Sequence, residues 1–164
     1  MALTQVQGGM ILASGQSIPK AALPTGSVLQ VVTASTNTRI ASSSNSYSDT
    51  GLSVSITPTS ASSKILVFGH QADCFKSNSD ATNSIFLRLV RGSTEILLFS
   101  DRNLLTSTTI ENMCTISFHY IDSPATTSST TYKTQFRNTN SVSLVSVQQQ
   151  SSSSSIIIAM EIAA

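Results

Sequence analysis

Eight short apolar runs, each of strand length, recur along this chain at residues 28–32, 52–56, 65–68, 85–90, 96–99, 116–121, 142–147 and 156–162. Ser and Thr, close to a third of all residues, fill the stretches between them. Charged residues make up only 10%, against about 25% in ordinary globular domains. Polarity of this kind without apolar segments would mean disorder. Here the runs return at regular intervals, so each can bury a face. Short apolar runs separated by small polar residues predict an all-β sandwich or barrel. Strict alternation at Leu52, Val54 and Ile56 marks a half-buried strand. No run carries a helical period. About eight strands in one domain fit a jelly-roll-like antiparallel β-sandwich.

The pattern begins only after Gly26. Residues 1–26 hold a single charge, Lys20, and no clear period, so they read as an extended N-terminal arm. Residues 27–164 read as the sandwich head. Strands are predicted at 27–34, 52–57, 64–74, 84–90, 95–100, 112–122, 130–137, 142–149 and 154–162, with a short extra strand near Arg39 and Ile40. The 84–90 and 95–100 strands flank a Gly-containing connection and form a hairpin.

Several strands are apolar on both faces. Residues 65–68, 96–99 and 156–158 contain no polar side chain, whereas a monomeric sandwich alternates apolar inward with polar outward. Covering loops are one explanation. Burial of the second face against another copy of the chain is the reading preferred here. It places Ile65, Val67, Leu97 and Ile157 at an oligomer interface, a homotrimer before a dimer.

The residues of chemistry are sparse. Nine Lys and Arg balance eight Asp and Glu, for a net charge of +1. That is too little and too scattered to attract nucleic acid or a membrane surface. No run approaches a membrane span, and the opening residues do not read as a signal peptide. His70 and His119 sit in separate strands and read as hydrogen-bonded strand histidines, not metal ligands. Cys74 and Cys114 are too few for a disulfide framework; a single bridge and two buried thiols both remain open. No catalytic, metal or cofactor motif is present, so a non-enzymatic role is expected. Glu161, set among Ile156–Ile162, calls for a partner such as Arg88 or Arg137. Trp is absent, and Tyr47 is the one loop aromatic able to stack on a sugar.

Residues 24–32 (PTGSVLQVV), 50–58 (TGLSVSITP), 62–67 (SSKILV), 86–94 (FLRLVRGST) and 158–162 (IAMEI) occur in a familiar order. Across residues 24–162 this succession resembles small β-rich virion surface proteins of tailed bacteriophages, especially those of marine and cyanobacterial hosts. The resemblance implies a trimeric jelly-roll-like head on the surface of a virion made in the bacterial cytoplasm. It implies a decoration, fibre or tail-appendage role, with residues 1–26 attached to other virion proteins. It brings no catalytic residue. The alternative reading is a carbohydrate-binding or C1q-like module that contacts a host surface glycan, with Tyr47 as its weak candidate contact.

Overall fold

A computed structural model describes residues 23–77 and 80–164, and ten strands follow one another along them. They are β1 (Val28–Thr36), β2 (Ile40–Ser42), β3 (Ser48–Ile56), β4 (Lys64–Lys76), β5 (Ile85–Arg91), β6 (Thr94–Asn103), β7 (Asn112–Asp122), β8 (Thr130–Asn138), β9 (Val145–Val147) and β10 (Ser155–Ile162). Each strand of the first half pairs with its mirror in the second. β1 joins β10, β2 joins β9, β3 joins β8, β4 joins β7 and β5 joins β6, all antiparallel. The chain is therefore one long hairpin, folded over on itself. Its tip is the Gly92-Ser93 turn, where Gly92 takes the positive φ (59°) that tight hairpin turns require.

Rolling the hairpin makes two sheets. In one, the order is β3-β8-β5-β6. In the other, β7 lines one edge of β4 along nearly its whole length. The opposite edge of β4 carries β10 at its start and β9 at its end. β1 extends the sheet beyond β10, and β2 extends it beyond β9. Strands from both halves of the hairpin alternate within each sheet, which is the jelly-roll arrangement.

Two apolar clusters fill the sandwich. Leu52, Val54, Ile56, Ile65, Val67, Leu89, Phe118, Tyr132 and Ile157 form one. Cys74, Ile85, Leu87, Ile116, Phe136, Val145 and Val147 belong to the other. A buried polar bridge crosses the interior from sheet to sheet. Thr50 and Thr134 share a hydroxyl hydrogen bond (2.5 Å), and Thr134 donates to Gln71 Oε1 (2.9 Å). Gln71 Nε2 in turn donates to Ser155 Oγ (2.8 Å), and the Gln148 amide reaches the same oxygen at 2.8 Å. Each group is wholly buried, so each needs the others. Some of the abundant hydroxyls thus work inside the sandwich.

The strands fall on the apolar runs, though β3 begins at Ser48 and β6 runs on to Asn103. The strand expected at 142–149 shrinks to Val145–Val147, because Val142 is 74% exposed and Gln148 turns to φ 49°. Glu161 finds neither Arg88 nor Arg137. Its neighbours are Gln30 on β1, which donates to Oε2 (2.6 Å), and Thr59, whose N–H and hydroxyl both donate to Oε1 (2.7 Å each). Burial pushes its pKa upward, but these hydrogen bonds outweigh burial and hold it at about 2. Arg88 pairs instead with Glu95, and Arg137 stacks on Phe86.

The arm assigned to residues 1–26 falls mostly outside the described residues. Its last part is tied down: Gly26 donates to the Ala163 carbonyl (2.8 Å), and Ala163 donates back to Ser27 (2.9 Å).

Candidate subunit interface

The outer faces of the two sheets differ in kind. On β3-β8-β5-β6 the outward side chains form a polar lattice. Lys133 pairs with Asp49 (2.7 Å) and Arg88 with Glu95 (3.0 Å). Gln135 links them, donating to Asp49 (2.6 Å) and accepting from Arg88 (2.9 and 2.7 Å). The Arg137 guanidinium lies 3.7 Å from the Phe86 ring centre. This face suits water.

On β1-β10-β4-β7 the register lines up uncharged rows. The first reads Val31, Met160, Leu66 and Ile121 across the four strands. The second reads Thr33, Ile158, Phe68 and His119, and the third Ser35, Ile156, His70 and Ser117. Val31 is 53% exposed and Ile121 60%, while Leu66, Phe68, Ile156, Ile158 and Met160 are half-buried. No described element covers them. At ~4.8 Å between strands and ~6.7 Å between residues on one face, the rows span roughly 20 Å by 20 Å, the size of the largest patch on an ordinary monomer, which is often a functional one.

The residues expected at the interface are not the ones that face outward. Ile65, Val67 and Ile157 are wholly buried within the protomer, and Leu97 packs against the same core cluster. The correction is one of parity. Side chains alternate along a strand, and the odd-numbered positions of β10, and of β4 as far as Gln71, point inward. Their even-numbered neighbours Leu66, Phe68, Ile156 and Ile158 take the outer face. Runs that are apolar on both faces told that a second face exists, but not which residues lie on it. The cross-strand register supplies that information.

Tyr47 precedes β3, beside the polar lattice. The Arg88 guanidinium sits 3.8 Å from its ring centre and that of Arg137 5.3 Å away. The ring face turned to Arg88 is already taken, which leaves less of the ring for a sugar. His70 Nε2 meets the Ser154 carbonyl oxygen at 2.9 Å, and His119 stands exposed within the apolar rows. Among the described residues, no three His, Cys, Asp or Glu side chains gather as metal ligands do, and no helix is long and apolar enough to cross a membrane.

No protein-family model matches the chain, and no curated protein matches it. Solved structures do. The infectious bursal disease virus VP2 subviral particle superposes with a TM-score of 0.51 at 16% identity, over 82% of this chain and 32% of that one. T=1 particles derived from infectious bursal virus give 0.46 at 14% identity, over 94% and 41%. The Gt strain of infectious bursal disease virus gives 0.43 at 16%, over 93% and 36%. The chain thus spans between a third and two fifths of the length of these chains. The likeness to VP2 is one of fold: the two-sheet jelly roll.

Proposed function

We propose that this chain is a non-enzymatic virion structural protein, a surface decoration, fibre or tail-appendage component of a tailed bacteriophage. It assembles as a homotrimer, and residues 1–26 attach it to the particle. The observation that carries this reading is the uncharged outer face of β1-β10-β4-β7, set against the ionic outer face of the other sheet. A chain this poor in charge gains little from leaving Val31, Phe68 and Ile121 in water, and packing against other copies of the chain removes them from it. The fold supports a particle role, since VP2 carries it in a subviral particle. The resemblance in sequence supports the phage virion and the trimer.

Light scattering on the full chain tests the assembly. A mass three times the 17.3 kDa of one chain is expected, and a monodisperse monomer at micromolar concentration overturns it. Removal of residues 1–22 tests the attachment. The shortened chain should keep its oligomeric mass and no longer incorporate into particles; normal incorporation refutes the role of the arm.

A further inference from the structure

Counting in twos along β4 puts Cys74 on the wrong side. From Ile65 the core-facing positions run Val67, Gly69, Gln71 and Asp73, which leaves Cys74 pointing outward. A β-bulge changes this. Gln71 pairs with Ile116, yet Cys74, three residues further along β4, pairs with Cys114, only two residues back along β7. The inserted residue inverts the alternation, and Asp73 takes a left-handed backbone (φ 45°) within the bulge. Beyond it Cys74 and Lys76 are wholly buried. Cys114, in step with Ile116 and Phe118, points to the same side and packs against the same core cluster. The only two cysteines of the chain are therefore direct cross-strand partners on one face of the sheet.

Residues directly opposed in an antiparallel pair hold their Cα atoms about 4.5–5.5 Å apart. A disulfide accepts Cα separations of about 4.4–6.8 Å. Both cysteines are free thiols.

We propose that Cys74 and Cys114 form an oxidation site, a dithiol that a small-molecule disulfide such as oxidised glutathione converts to an intramolecular bridge between β4 and β7. The Cys114 thiol, half-buried and within reach of solvent, loses its proton and attacks one sulfur of the reagent. One reduced glutathione leaves, and a mixed disulfide remains on Cys114. The Cys74 thiol then loses its proton and attacks Cys114 Sγ, releasing the second glutathione. Two electrons pass from the protein to the reagent, and the two protons end on the two released thiols. Burial pushes both thiols up, Cys74 furthest. The exchange is accordingly slow at neutral pH and faster in base.

The bridge closes a loop of about 40 residues that contains the β5–β6 hairpin tip, and loops of that size gain several degrees of melting temperature from closure. This inference stands apart from the subunit reading, because both thiols face the protomer interior.

The test treats the full chain with oxidised glutathione at mildly alkaline pH, then unfolds it in an alkylating agent. Intact mass should fall by two hydrogens with neither cysteine alkylated, and a peptide map should join the Cys74 and Cys114 peptides. Melting should rise by roughly 5–10 °C and return on reduction. Cys74→Ser should instead accumulate glutathione on Cys114, and Cys114→Ser should leave Cys74 unmodified until the chain unfolds. Two alkylated thiols after prolonged oxidation, a glutathione adduct on the native chain that never resolves, or bridges only between chains each overturn the proposal.

Discussion

Thr59 gives both its backbone N–H and its hydroxyl to one carboxylate oxygen of Glu161, each at 2.7 Å. Gln30 donates to the other oxygen. The carboxylate thus ties β1 and β10 to the turn before β4 without any cation. Its pKa, held at about 2, lies below the ordinary value of 4.5. A depressed carboxylate stabilises the fold while it is ionised. The stabilisation is fully present above about pH 5 and is lost as pH falls from 4.5 towards 2. It amounts to roughly 3 kcal/mol at neutral pH. Asp49 is also lowered, so the contribution of Glu161 must be isolated by difference. Urea midpoints of the native chain and Glu161→Gln should differ most near neutral pH and converge near pH 2. A constant gap across that range rules this linkage out.

Phe68 and Ile157 separate the two faces of the β1-β10-β4-β7 sheet. Phe68→Asp places a charge among the uncharged rows and should reduce the oligomer to monomers, while far-ultraviolet circular dichroism stays native. Ile157→Asp buries an unpaired carboxylate in the protomer core, at a cost of several kcal/mol, and should abolish folding and assembly together. Scattering and circular dichroism on both variants check this. Native oligomer mass in Phe68→Asp counts against the face.

Gly69 pairs with Ile157 where β4 runs tightly against β10. An added Cβ would overlap the carbonyl oxygen of Ile156 and press on the Ile157 Cα. Neither atom belongs to a side chain that can swing away. Gly69→Ala should therefore cost about 2–4 kcal/mol despite adding only one methyl group. A denaturation midpoint equal to that of the native chain would show that the two strands can part freely.

Thr134→Val keeps shape and removes one hydroxyl from the polar bridge. It leaves Gln71 Oε1 and Thr50 Oγ1 without that partner in a buried interior. The expected loss is about 1–3 kcal/mol. Adding Gln71→Leu should cost less than the sum of the two single changes, because the orphaned amide goes with it. A double-mutant cycle measures the coupling, and strict additivity would dissolve the bridge as a unit.

Much of this architecture is legible in the chain. The strand expected at 112–122 is β7 to the residue, because its apolar run ends at Pro124 on one side and at the mostly polar 106–111 stretch on the other. The strict alternation at 52–57 became the buried positions of β3. What could not be read depends on partners distant in sequence. Glu161 is satisfied by Gln30 and Thr59, which no local pattern connects to it. The outer face of the β1-β10-β4-β7 sheet emerges only when Val31, Met160, Leu66 and Ile121 are placed side by side. The bulge after Gln71 leaves no mark in the hydrophobic pattern, yet it decides on which side Cys74 lies. Local periodicity sets which residues can be strands; register and bulges set what those strands present.

The mirror pairing of strands also dictates timing. Among the described strands β1 comes first, and its ladder partner there, β10, comes last. Only the β5–β6 turn joins residues close in sequence, and every other pair must wait for chain still to come. The sandwich cannot close before β10 is made, and it pays its loop-closure entropy almost entirely in long loops. Folding in milliseconds to seconds, rather than microseconds, is the expectation for pairing this non-local. Until the last strand arrives, β1 and the uncharged rows it belongs to are open to whatever else the cell contains.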